Sequence, residues 1–579
     1  MLRDRTDIVN QLHPLRTANL PDLEAVLPEP RVAVGIDGSM DYDEVLEMLL
    51  FYVAAGGYQC RFNVKDNKEV TFDLLGAKRT EKLFTSAAVP LWEEDLFYLV
   101  PDTSEQVETD VDFRRTMERV PFALMTMAEL YLAWKIVSGS DIRILFLDRP
   151  FSGTYPSLYR DTAFMLMRRS LTLDFLETKA GRVERFDLKL AHVIGSGASY
   201  VPPRGIYLPY AVIKHLMAKR EASTNEIKEA LRLTDRQMEG AMRRLRKIND
   251  SSEGQILAKD TAASIEISER ALSSWNRVRA LALELSQRIF DPESDVEHPL
   301  MVTGRKWLSV TELNALNLFL VEALIEEAQK RRVLVIGVAK DTTATDFTRA
   351  ALPTALSMAK EAFKLPGLKS DKALLTILST SNASSLPTPW RTFAYDGCMA
   401  TLIATPNAEA KFVAARHRIT REHLFVRCYF QLRSFQHDPE IRAPVFLYDR
   451  LYMSEFDDAL NKDLKATESE RHVMLHLFLE AQGERSRIDD LTLLILSVCD
   501  NPEVLEAYGH NQLLYLADKL VKSEVQLMKG LLRGVVDLEL TPLARKEKVF
   551  SIARRFRDLR AESESARRQA VQGTREVGA

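Results

Sequence analysis

Short β-branched apolar runs punctuate the chain, and three of them stop on a charged residue. These are Val32-Ala33-Val34-Gly35-Ile36 before Asp37, Ile144-Leu145-Phe146-Leu147 before Asp148, and Val333-Leu334-Val335-Ile336-Gly337-Val338 before Ala339-Lys340. Runs of this length predict buried strands. Each strand then delivers its charge to a sheet edge. If the first two strands are neighbours, Asp37 and Asp148 converge where an apolar sheet offers no reason to pair negative charges. A hard divalent cation supplies that reason.

Around these runs the pattern changes period several times. Asp43 to Ala55 has amphipathic helical spacing. Tyr58 to Val64 and Glu69 to Asp73 alternate on both sides of a polar turn, which predicts a hairpin. Phe113 to Val137 carries Met117, Val120, Leu124, Met127, Leu130 and Ala133 at helical spacing and leads into the Asp148 strand. Strand, hairpin, helix, strand is the order of an RNase H-like core. A different pattern interrupts it at 206–295: a helix over Tyr207 to Lys219, a second capped at Ser223-Thr224-Asn225-Glu226, and a third capped at Thr234 and running to Lys247. Strand-like Gln255 to Ala258 and Ser264 to Ile267 follow. The reading is a winged helix-turn-helix insertion whose third helix presents Arg236, Arg243, Arg244, Arg246 and Lys247 to DNA phosphates; a protein-docking module with solvated arginines is the alternative.

The α/β pattern resumes with a helix over Val310 to Arg331, followed by strand-like Ala373 to Leu378, Met399 to Thr405, His423 to Leu432 and Pro444 to Leu447. Beyond 456 the pattern is helical, ending in a charged tail from Ala544. The predicted fold is α/β: an RNase H-like mixed sheet core over 1–205 and 296–455, the winged-helix insertion at 206–295, and an α-helical C-terminal extension over 456–579.

Bulk properties narrow the function classes only a little. The 579 residues exceed one core and imply several structural units. A net charge of −4 excludes a uniformly basic nucleic-acid binder, so DNA contact must come from local patches. Cys60, Cys398, Cys428 and Cys499 form no Cys-x-x-Cys pair, which argues against a zinc ribbon or a disulfide framework and for a reducing cytoplasm. No signal peptide is expected from the N-terminal residues, and Leu491 to Val498 is too short to span a bilayer, so no membrane association is expected.

Two further residues extend the chemistry. Glu129 lies on the helix before the Asp148 strand, where an inward carboxylate reaches the same sheet edge; Glu118 is its rival. Hydrolysis of a phosphodiester by two metals needs such a cluster to hold cations about 4 Å apart, and Mg²⁺ or Mn²⁺ suits an all-oxygen shell.

On Val34-Gly35-Ile36-Asp37-Gly38-Ser39, Leu145-Phe146-Leu147-Asp148-Arg149-Pro150-Phe151-Ser152 and Val335-Ile336-Gly337-Val338-Ala339-Lys340-Asp341, in that order and spacing, the chain resembles the NurA nucleases over roughly half its length. The resemblance implies an RNase H-like fold, a homodimer, and Mn²⁺-dependent DNA degradation beside a HerA-like hexameric ATPase. It makes Asp37 and Asp148 the principal metal ligands, Glu129 a third, and Lys340 the motif lysine that meets phosphate. The chain departs from the family in having Arg149-Pro150 after Asp148, and Leu447-Tyr448-Asp449-Arg450 where the family has a histidine. Asp449, read as ending a strand and starting a helix, is the candidate last carboxylate. The additions suggest a specialised member, serving antiviral defence rather than DNA end processing and repair.

Other signals are discounted. His472 and His476 share a helical face, but no Glu follows His472 as in the zinc-protease motif, and the spacing reads as a packing helix. Asp396-Gly397-Cys398 would suit an actin-like ATPase, yet no Gly-rich adenosine loop or P-loop accompanies it. Ser39 and Ser152 lack a positioned histidine. The competing reading is a non-catalytic adaptor for DNA or an ATPase on the same fold.

Overall fold

The computed structural model describes residues 6–546 except 17–19, 22, 46–47, 66–68, 77–82, 93–94, 96–98, 100–109, 198–199, 262, 292–297, 303–305, 341, 359–369, 398–402, 407–411, 417–422, 436, 469–470, 481–484 and 501–507. It is a mixed α/β fold built on one large mixed sheet with many helices. The first half supplies β1 (Val32–Val45), β2 (Met48–Lys65), β3 (Glu69–Gly76), β4 (Phe84–Trp92), α1 (Asp110–Gly139), β5 (Ile144–Leu147) and α2 (Phe151–Met167). Then come α3 (Leu208–Lys219), α4 (Thr224–Ala230) and α5 (Asp235–Asp250). The second half adds α6 (Val310–Arg331), β6 (Leu334–Ala339), α7 (Asp371–Ser381), β7 (Ala394–Asp396), β8 (Phe425–Gln431), β9 (Phe446–Leu451), β10 (Asn461–Glu468), β11 (Arg471–Phe478), α8 (Arg487–Val498) and α9 (Gln512–Lys546).

Strand order through the centre is β3-β2-β1-β5-β6-β9-β8. β1, β5 and β6 run parallel, flanked by antiparallel β2 and β9. The C-terminal ends of parallel strands are where open α/β sheets place ligands. Here β5 and β6 end side by side, just before Asp148 and Lys340, whereas β1 does not stop at Asp37 as the sequence suggests but runs on to Val45 in its pairing with β2. α1 and α6 cover one face through the cluster containing Val34, Ile36, Leu124 and Leu145. The other face is covered by α8 and the start of α9, against Ala33, Cys60 and Phe146. Glu118–Gly139 of α1 is long and apolar enough to cross a membrane, but 78% of its most apolar stretch is buried within the protein.

Several expected elements take another form. The described residues of that span, Asp43 to Val45 and Met48 to Ala55, are strand, paired without a break from Val32↔Arg61 to Val45↔Met48. Leu49, Phe51, Val53 and Ala55 face the α1 core, whereas Leu50, Tyr52 and Ala54 meet Val521 and Val525 of α9. A strand buried on both faces reads as a continuous apolar run and loses its alternation. Ala373 to Leu378 lies in α7, capped by the Ser370 hydroxyl accepting from Ala373 N–H; a short apolar run does not distinguish the two states. The region beyond 456 is not all helical. β10 and β11 form a hairpin that joins the large sheet through β7, and His472 and His476 lie on a strand opposite Thr467 and Asp463. Residues 399–402 of the strand expected over Met399 to Thr405, and the tail beyond 546, lie outside the described residues.

The 206–295 segment forms α3, α4 and α5 with a small sheet of Glu221–Ala222, Leu257–Asp260 and Ile265–Ile267. Reciprocal Ser223/Glu226 and Thr234/Gln237 capping boxes start α4 and α5 as the sequence predicts. Its core of Val212, Ile227, Met238 and Leu245 packs on Phe186, Leu190 and Ile194.

Candidate active site

β5 ends at Leu147, opposite Ile36 of β1 and Gly337 of β6. Asp148 N–H still donates to the Ile36 carbonyl at 3.2 Å, so Asp148 sits beside Asp37 as the strands part. The sheet edge thus brings together the two carboxylates that the sequence marks.

Glu129 arrives from α1 on the opposite sheet face to α9. Gly38 makes this possible, since a Cβ there would overlap the Glu129 carboxylate. Asp37 is buried, with one oxygen accepting from Gly38 N–H at 2.8 Å. Its pKa is pushed up to about 9, first by burial and then by the Asp148 and Glu129 carboxylates, with the Gly38 N–H opposing. Burial also raises Glu129, against the pull of Arg149.

Two cations answer this charge. Lys340, one residue past β6, donates from Nζ to Asp148 Oδ2 at 2.7 Å. Arg149 turns inward, its Nε donating to Glu129 Oε2 and its Nη1 to Thr126 Oγ1 at 3.0 Å. Among the described residues, Asp37 is the one of the three without a cationic partner.

Asp449 departs from its expected place. It lies within β9 rather than at a strand end, and its fully buried carboxylate accepts from Phe151 N–H at 3.0 Å, from Ser152 N–H at 2.8 Å and from the Ser152 hydroxyl. It caps the N-terminus of α2, where Pro150 offers no side-chain cap. Arg427 donates to the same Ser152 hydroxyl and to Asp346. Asp449 therefore steadies the turn that carries Asp148 and has its oxygens committed.

A different carboxylate approaches the pair. α9 crosses β1 and β2 where Gly35 and Gly56 lack side chains, with Leu513 and Val521 filling the space. Asp518 lies between them, and its charge adds to the repulsion at Asp37. Its carboxylate is partly exposed and pairs with Lys522 at 2.8 Å. The sequence signal was an acidic residue interrupting the apolar face of Leu514, Ala517, Val521 and Val525.

Asp37 and Asp148 fit a hard divalent cation by their oxygen chemistry, since Mg²⁺ commonly takes one or two carboxylates and completes its shell with water and phosphate. Among the described residues, no group of three or more His, Cys, Asp or Glu side chains is arranged to hold an ion. Glu129, committed to Arg149, supports the pair from beneath.

The α5 basic residues are exposed, but not equally available. Arg246 makes a double hydrogen bond to Asp260 at 2.7 and 3.1 Å, and Arg244 donates to the Gly205 carbonyl at 2.9 Å. Arg236, Arg243 and Lys247 share the helix with Asp235, Glu239 and Asp250. The structure does not bring this face to the Asp37 site.

No protein-family model matches the chain, and no curated protein matches it. Among solved structures, the NurA nuclease from Sulfolobus solfataricus aligns over 91% of this chain and 89% of its own, with 12% identity and a TM-score of 0.32. A NurA with manganese aligns over 93% of each chain, with 11% identity and a TM-score of 0.31. A NurA bound to dAMP and manganese covers 78% of this chain and 82% of its own, with 12% identity and a TM-score of 0.26.

Proposed function

We propose that the chain is a divalent-cation-dependent DNA nuclease of NurA type, hydrolysing phosphodiester bonds at Asp37 and Asp148. The observation that carries this reading is the meeting of Asp37, within β1, and Asp148, just past the end of the neighbouring parallel strand β5, with Lys340 on Asp148. The strand order and directions around β1, β5 and β6 agree with an RNase H-like core.

Asp37 and Asp148 would hold Mn²⁺ or Mg²⁺, which when bound would supply water activation and charge neutralisation at the phosphate. With Arg149 on Glu129 and Lys340 on Asp148, Asp37 is the carboxyl of the three that has no cationic partner among the described residues, and a bound cation would supply it. Lys340 exchanges Asp148 for a phosphate oxygen when substrate arrives. Glu129 and Arg149 fix the floor of the site, and Asp449 acts as a positioning residue through Ser152.

The motif resemblance extends the proposal to a homodimer working in the cytoplasm with a HerA-like hexameric ATPase, in DNA end processing or antiviral defence. The 206–295 module, whose element order suits a winged helix, then docks DNA or that partner. Incubating the purified chain with linear and circular DNA in Mn²⁺, Mg²⁺ or chelator tests the activity, with Asp148→Asn as control. Metal-dependent cutting lost in the variant supports the reading; cutting retained in the variant refutes the site.

The Arg149–Glu129 pair favours a second reading, a non-catalytic adaptor, because it neutralises a carboxylate that a nuclease would use. Mn²⁺ that fails to bind the wild-type chain would select it.

A further inference from the structure

The outer face of α5 lies apart from the carboxylates and has a composition of its own. Arg236, Gly240, Arg243 and Lys247 fall at i, i+4, i+7 and i+11, within about 60° of one another at 3.6 residues per turn. The opposite face, Met238, Ala241, Met242 and Leu245, is buried in the core of the 206–295 module. Two other cations of the helix are used internally. Arg246 is held by Asp260 of the small sheet and Arg244 by the Gly205 carbonyl, and together they brace α5 against its neighbours. Arg236, Arg243 and Lys247 are exposed and make no hydrogen bond or ion pair among the described residues.

Gly240 sits in the middle of this stripe. Nothing lies within 4 Å of where its Cβ would be, so no internal contact requires a glycine there. A glycine inside a helix is destabilising relative to alanine; here it leaves the backbone open to a surface outside the chain. The chemistry of that surface follows from what the face lacks. Between Tyr207 and Leu272 no large apolar side chain is exposed among the described residues, so a protein partner finds no apolar anchor. α5 carries no aromatic ring on which unpaired bases could stack. Duplex RNA is disfavoured because its deep, narrow major groove does not admit a helix. The major groove of duplex DNA, about 12 Å wide, does. At about 16 Å the stripe is long enough to bring a cation near each backbone.

We propose that α5 binds double-stranded DNA through Arg236, Arg243 and Lys247, which makes DNA rather than the ATPase the ligand of this module and gives the chain a second DNA site. Its phosphate contacts need neither Asp37, Asp148 nor a metal. Beside the stripe runs a groove of about 580 Å³ between α4 and α5, where Asn225 extends the polar surface toward a DNA backbone. Glu239 and Asp250 line the same groove and oppose phosphate, while Asp235 is held by Lys228 at 2.5 Å. These carboxylates keep the attraction modest, so neutralising one strengthens binding.

Fluorescence anisotropy of a short labelled DNA duplex with the full-length chain in chelator, where nothing is cut, tests the site. Wild type, the double variant Arg243→Ala with Lys247→Ala, Glu239→Gln, and the control Lys330→Ala on α6 are compared after circular dichroism shows each folded. The double variant should weaken duplex binding at least about tenfold and lower the slope of log affinity against log salt by about 2. Glu239→Gln should tighten it about twofold or more, while Lys330→Ala leaves it unchanged. The loss in the double variant should be larger for the DNA duplex than for oligo-dT or an RNA duplex of the same sequence. Undetectable DNA duplex binding, binding indifferent to the double variant, or a loss no larger for DNA duplex than for the other two overturns the proposal. Mn²⁺-dependent cleavage by the same wild-type preparation reads the nuclease separately. Duplex binding that depends on α5 in a chain that cuts nothing leaves this site standing and removes the nuclease; cutting with binding indifferent to α5 does the reverse.

Discussion

Lys340 Nζ lies 2.7 Å from Asp148 Oδ2, so the two residues that follow neighbouring parallel strands close an ion pair across the sheet edge. The lysine occupies the carboxylate that a cation would use. Lys340→Met should therefore bind Mn²⁺ more tightly yet cleave DNA at least about tenfold more slowly, because the phosphate loses its cationic partner. Calorimetry and single-turnover cleavage on the same preparation measure both effects. Weaker metal binding would show that Lys340 organises the site rather than competing within it.

Arg149 and Glu129 form a nearly dry pair, with side chains 10% and 4% exposed. Arg149→Met leaves Glu129 buried without its partner and should cost about 3–5 kcal/mol of stability. Adding Glu129→Gln should recover part of that loss. Urea unfolding of the two single variants and the double variant gives the coupling.

Asp449→Ala removes the acceptor for three donors of the Phe151-Ser152 turn. Stability should fall by about 2 kcal/mol, and Mn²⁺ affinity should fall with it, because the turn that carries Asp148 loosens. Metal affinity unchanged in a destabilised protein would confine Asp449 to a structural role.

His510 is buried against Phe446, and neither ring nitrogen has a hydrogen-bond partner among the described residues. Burial, helped by the charge of Lys340, lowers its pKa to about 3 from the ordinary 6.5. Between those values the unfolded chain binds the proton first, so stability rises with pH through this window and is lost as pH falls from 6.5 toward 3. His510 contributes a slope of up to about 1.4 kcal/mol per pH unit. His510→Phe should flatten unfolding free energy against pH in that range; an unchanged slope would contradict the assignment.

The legible parts of the sequence were those where local chemistry and tertiary setting agree. Ser223 with Glu226 and Thr234 with Gln237 start helices where their capping patterns fall, and the runs before Asp37 and Asp148 are strands in register. Leu49 to Ala55 misled because α9 covers one face and α1 the other, so a strand lost its polar positions. Asp449 misled because a carboxylate in an apolar run looks the same in sequence whether it holds a cation or caps a distant helix. Asp518 went unread because its proximity to Asp37 depends on α9 crossing β1 at Gly35, a contact between residues nearly five hundred positions apart.

The most direct measurement is calorimetric titration of Mn²⁺ into the wild-type chain, Asp37→Asn and Asp148→Asn, each first shown to be folded. The account predicts saturable binding in the wild type that is lost in both variants. Binding of equal strength in all three would contradict a cation site at Asp37 and Asp148.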